Sequence, residues 1–264
     1  MERRGAEDGV RVAFDQLQEA IDRRVRSEQL RDQLTGLPNE LALIAALDDL
    51  LEHKEQFWIA FFEIDRFKWI NDEFGYQSAD ALLGKVAEIL DNSEHFFEGT
   101  VSAFRPHGDE FYLLGKCDGE RDVASLGKKL DLIRQNIAHL RVRADLGVAT
   151  CTVSVGWLEI VSFEAHLAEQ QTVLTRREVL SALERTVAEA KWTRDTVIRF
   201  SPALDSDETL TLRSDCTGCR CKFQVNVKRS TLENKQHWWC PNCGAELERP
   251  PAPSRVVAPQ RAEV

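Results

Sequence analysis

Two short runs carry the side chains best suited to chemistry: Glu63-Ile64-Asp65-Arg66-Phe67-Lys68-Trp69-Ile70-Asn71-Asp72 and Phe104-Arg105-Pro106-His107-Gly108-Asp109-Glu110-Phe111. Each sets carboxylates at the end of a strand-like stretch, so two neighbouring strands would bring Glu63, Asp109 and Glu110 to one edge of a sheet. Carboxylates gathered in this way either bind a divalent cation or repel one another. Mg²⁺ prefers one or two protein carboxylates, completed by water and substrate phosphates. With Gly108 letting backbone approach a phosphate, the set suits metal-assisted nucleotidyl transfer. A solvated turn with a negative cap is the structural alternative for Asp109 and Glu110.

A second group is made of cysteines. Cys216-Thr217-Gly218-Cys219 and Cys240-Pro241-Asn242-Cys243 are two C-x-x-C pairs with 20 residues between them. Tetrahedral Zn²⁺ takes four thiolates, so Cys216, Cys219, Cys240 and Cys243 are expected to hold a structural Zn²⁺ in a zinc ribbon, with Cys221 able to replace Cys219. Disulfides are the alternative, but no apolar h-region of a secretory signal follows Met1-Glu2-Arg3-Arg4. Cys117 and Cys151 read as buried thiols. Trp238 and Trp239 would cover a module too small for its own core, or stack on a base or partner.

The elements that must position the acidic runs follow from period and punctuation. Phe14, Leu17 and Ile21 give residues 10–31 a narrow helical seam, suited to a dimerising stalk or to a helix packed on its own domain. A helix follows Pro38, with Leu41, Ile44, Leu47 and Leu51 as its expected buried face. Residues 57–64 are nearly all apolar, as in a strand covered on both sides. Helix is expected over 79–90, 123–140 and 176–191, and strand over 101–105, 111–114, 149–159 and 196–200. Alternating helices and strands that include a hairpin predict an α/β (α+β) fold with a mixed sheet and helices on its faces.

Composition bounds the rest. A chain of 264 residues, 43% of them hydrophobic, has material for one large core and a small module. The apolar run at 57–62 is far too short to span a bilayer, so a cytoplasmic protein is expected. A formal charge of −10 argues against general affinity for nucleic acid. From residue 201 onward nine Lys and Arg face eight Asp and Glu, a net of +1 that supports no claim of DNA or RNA binding. The expected organisation is an N-terminal helix at 1–31, a large domain at 32–200, a linker at 201–209, a zinc ribbon at 210–249 and a Pro- and Ala-rich disordered tail at 250–264.

The large domain resembles the GGDEF domain of diguanylate cyclases. Asp32-Gln33-Leu34-Thr35-Gly36-Leu37-Pro38-Asn39 resembles the family's D-x-L-T-G-L-x-N, and the run from Glu63 its D-I-D-x-F-K-x-I-N-D-x-x-G, with Asp80 in a later G-D position. Arg105 to Phe111 stands where the family reads R-x-G-G-D-E-F. Ser154-Val155-Gly156 and Ala190-Lys191 are similar to its S-I-G and final A-K.

The resemblance implies a ferredoxin-like palm with a five-stranded mixed sheet, and a homodimer in which each protomer holds one GTP. Condensation of two GTP to cyclic di-GMP would proceed by metal-assisted attack of a 3′-hydroxyl on an α-phosphate, with loss of pyrophosphate. Glu63, the Ile64 carbonyl and Asp109 would hold Mg²⁺ or Mn²⁺, and Glu110 would hold metal or assist the attacking hydroxyl. Asn71 and Asp80 would read the guanine edge, since an amide donates and accepts while a carboxylate accepts from ring N–H and amino groups; as isolated residues they are turn and cap formers. Phe67 and Lys68 would flank the nucleotide, although Phe67 equally suits the core. Gly108, Lys191 and Arg194 would face phosphates, and Lys191 also suits a helix C-terminus.

The departures bear on activity. Glu63 replaces an aspartate, His107 the first glycine of the signature, and the closing A-K-x-x-G-R-N is one residue short at Arg194. The inhibitory R-x-x-D would fall at Glu98-Gly99-Thr100-Val101 and is missing. Beside the cyclase stand two further readings: a catalytically degenerate domain that binds GTP or a cyclic dinucleotide for signalling, and a zinc-ribbon adaptor for a protein or nucleic-acid partner. No membrane partner is expected.

Overall fold

In a computed structural model the chain is described at residues 28–97, 100–117, 120–145, 147–201, 209–228, 238–239 and 245–247. Its centre is β1 (Phe57–Ile64), every residue of which is buried except Glu63. Successive strand side chains point to opposite faces, so so apolar a strand demands two covers. Trp58, Ala60, Phe62 and Ile64 enter one core, and Phe57, Ile59 and Phe61 enter the other.

Five strands form the sheet in the order β2-β3-β1-β6-β7, where β2 is Val101–Phe104, β3 Glu110–Lys116, β6 Val153–Glu159 and β7 Thr196–Arg199. All neighbours are antiparallel except β6 and β7, which makes the expected mixed sheet. One face is covered by α2 (Phe67–Phe74), α3 (Tyr76–Asp91) and α4 (Glu120–Ala138) through Ile70, Leu82, Val86, Leu130 and Ile133. The other is covered by α1 (Glu40–Glu52), α5 (Ile160–Glu169) and α6 (Arg176–Thr193) through Leu47, Phe163, Leu183 and Val187. Strand β6 runs so close to α6 that a Cβ on Gly156 would lie 2.6 Å from the Val187 nitrogen, which is why a glycine follows Ser154-Val155.

Several expectations are corrected. The buried face of α1 is Leu43, Leu47 and Leu50, while Leu41 is exposed. Leu, Ile and Ala populate both stripes, so apolarity did not fix the phase; the helix does follow Pro38, and Asn39 caps it by accepting from the Ala42 nitrogen. The expected strand at 149–159 is interrupted. Its beginning belongs to β5 (Gly147–Ala149), which pairs with β4 (Val142–Ala144), and Thr150 to Thr152 turn toward Asp65 before β6 begins. Helix α5 and the 3₁₀ turn Asn92–Phe96 had no sequence forecast.

Beyond the sheet, β8 (Thr209–Asp215) and β9 (Lys222–Lys228) form an antiparallel hairpin, and β10 (Trp238–Trp239) pairs with β11 (Glu246–Leu247). The expected N-terminal helix before Glu28, most of the linker, Cys240, Cys243 and the tail lie outside the described residues. Among the described residues no helix is long and apolar enough to cross a membrane.

Candidate active site

Strand parity splits the acidic residues. Glu63 follows Phe61 and therefore points to the α1/α5/α6 side; its partner across the β1/β3 ladder is Glu110, whose neighbour of equal parity, Tyr112, enters the same core. Helix α6 reaches this corner because Val179, Leu183 and Val187 anchor it there. That packing turns a second stripe, Glu184, Ala188 and Lys191, toward the strand ends. Together with Glu63, Glu110 and Tyr112 they line a cleft of about 250 Å³.

Charge in the cleft is concentrated. The Lys191 ammonium forms an ion pair with the Glu63 carboxylate, and both groups are half-buried. Burial pulls Lys191 down to about 8, with the Arg194 guanidinium as a second cause. Burial pushes the Glu110 carboxyl up from its ordinary value, with Asp109, Glu184 and Glu40 acting in the same direction and His107 against them. Burial, with the Glu110, Glu184 and Glu40 carboxylates, also raises the Tyr112 phenol. Sequence reasoning missed Glu184; its spacing of seven from Lys191, two helical turns, is the signal that would have found it.

Asp109, in the turn before β3, has other surroundings. Burial raises its carboxyl, and its charged neighbours are His107, Arg105 and Asp65. Its carbonyl accepts from the Ile64 nitrogen at 3.2 Å, which locks the turn to the end of β1. The positive φ falls on Gly108, at 55°, and His107 is not among the positive-φ residues, so histidine replaces the first signature glycine without backbone strain. Exposed His107 sits 3.6 Å from Glu110. Arg105 is buried and grips the turn through the Gly108 carbonyl at 3.2 and 2.6 Å, while its other nitrogen reaches Asp32 at 2.7 Å. Burial acts to raise the Asp32 carboxyl, but hydrogen bonds from Thr35 and Arg105 outweigh it and hold the group below its usual range. The opening Asp32-to-Asn39 turn is thereby tied to the signature.

Asp65 is held by three donors. It is buried and accepts from the Thr152 hydroxyl at 2.6 Å, the Ser154 hydroxyl at 2.7 Å and the Asp195 nitrogen at 3.0 Å. Asn71 lies on α2 and exposed Asp80 on α3, two helices packed together across Gly75 at φ 77°. Phe67 packs against the core, its structural alternative, and Lys68 is exposed. Arg194, at the end of α6, lines a different hollow with Arg66, Trp69 and Thr150. The expected phosphate pair Lys191 and Arg194 is therefore divided between two hollows.

The carboxylate oxygens of Glu63, Asp109 and Glu110 are the hard donors that Mg²⁺ and Mn²⁺ accept, so the donor set fits such an ion in kind. Glu63 and Glu110 are partners across β1 and β3, with Asp109 in the turn beside them; among the described residues no group of three or more His, Cys, Asp or Glu that could hold a metal is found. Asp109 has neighbours of its own, and the cation that meets Glu63 is Lys191. Of the four expected zinc ligands, two are described. Cys216, buried at the tip of the β8/β9 hairpin, accepts on Sγ from the Cys219 nitrogen at 3.4 Å, and Arg220 takes φ 58°. Cys221 is exposed, and Cys151 is a buried free thiol, pushed up to about 12 by burial.

A mixed, mostly antiparallel five-stranded sheet covered by helices on both faces, with an acidic pair across its central strands, is an α/β architecture. The family can be stated: residues 29–198 match "Diguanylate cyclase, GGDEF domain", and the chain belongs to that family. It is 33% identical over 152 residues to diguanylate cyclase DgcP of Escherichia coli K12, a match covering 55% of this chain and 42% of that protein. It thus spans less than half the length of that relative. Among solved structures, the coiled coil and GGDEF domain of DgcB from Caulobacter crescentus, in complex with c-di-GMP, superposes with a TM-score of 0.58 at 22% identity over 75% of this chain and 98% of that one. Diguanylate cyclase SiaD of Pseudomonas aeruginosa, in complex with its activator SiaC, gives 0.55 at 24% identity over 75% and 73%. At these identities the two structures speak for the fold.

Proposed function

We propose that the chain is a diguanylate cyclase that condenses two GTP into cyclic di-GMP, releasing a pyrophosphate at each of two attacks. The observation that carries this reading is the meeting of Glu63, Glu110 and Lys191 in one cleft at the end of β1, on a domain of this family. Asn71 and Asp80 would hold the guanine edge from α2 and α3, with Phe67 and Lys68 beside it. Gly108, with positive φ, lets backbone approach a phosphate, and Lys191 and Arg194 would meet the triphosphate from their two hollows. Glu63, the Ile64 carbonyl and Asp109 would hold Mg²⁺ or Mn²⁺. When bound, such an ion supplies charge neutralisation along the triphosphate and acidifies the attacking hydroxyl. Glu110 would hold the metal or take the 3′-hydroxyl proton. Because each protomer would present one GTP, the reaction needs a homodimer, and positioning supplies much of the catalysis.

We assign the C-terminal segment to a zinc ribbon that serves a protein or nucleic-acid partner. The N–H···S contact within Cys216-x-x-Cys219 and the left-handed Arg220 after it support one half of such a site; Cys240 and Cys243 would supply the other.

The test is product analysis. Zinc-loaded full-length protein, incubated with GTP and Mg²⁺ or Mn²⁺, is expected to yield cyclic di-GMP by mass spectrometry, and an Asp109→Ala, Glu110→Ala variant to yield none. The degenerate domain that binds nucleotide without turnover is favoured by one specific observation, the division of Lys191 and Arg194 between two hollows. It gains the field if the dimeric protein binds GTP in either metal and forms no product.

A further inference from the structure

Glu63 and Lys191 have separate tasks in the proposed reaction, one toward the metal and one toward the triphosphate, yet in this structure they engage each other. The contact depends on both residues as they stand. Strand parity aims Glu63 at the α6 side, Glu has one methylene more than Asp and so reaches about 1.5 Å further, and Lys191 lies in the last turn of α6, over the end of β1. Both groups are half-buried, and Glu110 and Glu184 line the same cleft.

Breaking such a pair from one side only is unfavourable. A bare divalent ion on Glu63 displaces Lys191 into a partly dry cleft without its carboxylate; a bare triphosphate on Lys191 leaves Glu63 uncompensated beside Glu110. A charge that loses its partner in a half-buried cleft is penalised, though less than at a fully buried site. A metal and a triphosphate that arrive together satisfy both partners at once, since the ion takes the carboxylate and the phosphates take the ammonium.

Resting on the cyclase reading, we infer that the Glu63–Lys191 ion pair is a latch that makes the site reject bare divalent cation and bare nucleoside triphosphate while admitting the two together. In this chain the aspartate-to-glutamate change is then a control on ligand entry, rather than only a longer metal ligand. Because linkage is reciprocal, each ligand raises the affinity for the other by the same factor.

The decisive variant is Glu63→Asp, which keeps the charge and withdraws the reach. Binding is measured on the full chain by calorimetry, with Mn²⁺ alone, with an α,β-methylene GTP analogue in EDTA, and with both. In the unaltered protein each ligand is expected to tighten the other at least about fivefold, the low end of ordinary coupling. Glu63→Asp is expected to bind Mn²⁺ alone and analogue alone each at least about fivefold more tightly, with the coupling reduced to match. No general electrostatic effect strengthens a cation and an anion together at constant charge. Lys191→Met, as a second variant, is expected to gain affinity for bare Mn²⁺ and lose it for the analogue. The latch is overturned if Glu63→Asp leaves both single-ligand affinities within about twofold of the unaltered protein while the joint complex still forms. If the joint complex forms with no variant and not with the unaltered protein, the cyclase reading itself falls.

Discussion

Glu63 and Asp65 stand two residues apart at the end of one strand and lead opposite lives. Asp65 is buried and fastened by three donors, drawn from the turn before β6, from β6 itself and from the segment after α6. Glu63 has a single lysine across an open cleft. One strand end divides labour: one carboxylate spends its lone pairs holding segments 130 and 89 residues away in place, and in the proposed reaction the other keeps them for exchange. A fully bonded carboxylate is a joint; under that proposal, the one with an exchangeable cation is a binding group.

The comparison breaks first at Asp65. Asp65→Ala leaves two hydroxyls and an N–H without their acceptor, and is expected to cost about 3 kcal/mol of stability, read as a lower urea midpoint. Arg105→Ala comes next, at about 2 kcal/mol by the same measurement, because Asp32 and the Gly108 carbonyl lose their shared donor.

Smaller effects sharpen the binding side. The Asp109 carboxyl is raised by burial, so the folded protein holds its proton at a pH where the unfolded chain has released it. That group's ionisation therefore opposes folding at neutral pH, and the opposition disappears as pH falls through the raised value. Asp109→Asn is expected to raise the melting midpoint by about 2 °C at pH 7, with the gain lost below the ordinary carboxylate range. Smallest is Glu63→Gln, expected to shift stability by less than about 1 kcal/mol, because the pair it weakens is half-exposed. A loss at Glu63 equal to that at Asp65 would erase the distinction.

Much of this was legible before the fold. The apolar run at 57–64 forecast a strand with two covers, and its parity, once β3 was paired, dictates where Glu63 and Glu110 point. Ser154-Val155-Gly156 stood out by resemblance, and its reasons are physical: Ser154 donates to Asp65, and Gly156 leaves room for α6. The phase of α1 was not legible, because Leu43 and Leu41 are equally apolar and only tertiary packing chooses between them. Nor was the break before β6, since Thr150 to Thr152 have ordinary strand propensity until Asp65 claims Thr152. The Glu63–Lys191 contact joins residues 128 apart in the chain, and it rests on where α6 packs, which no local pattern contains. The cysteines show the reverse: spacing named four expected zinc ligands, and the described residues include two of them, Cys216 and Cys219.

The most direct measurement is pyrophosphate release from GTP with Mn²⁺, at concentrations where the protein is dimeric, by the unaltered chain and by Glu110→Gln. The account predicts turnover in the unaltered chain and a loss of at least about a hundredfold in the variant, the scale of a removed proton acceptor, with a melting midpoint no lower than that of the unaltered chain. Equal turnover in both would contradict the assignment of the Glu63 and Glu110 end of the sheet as the reactive one.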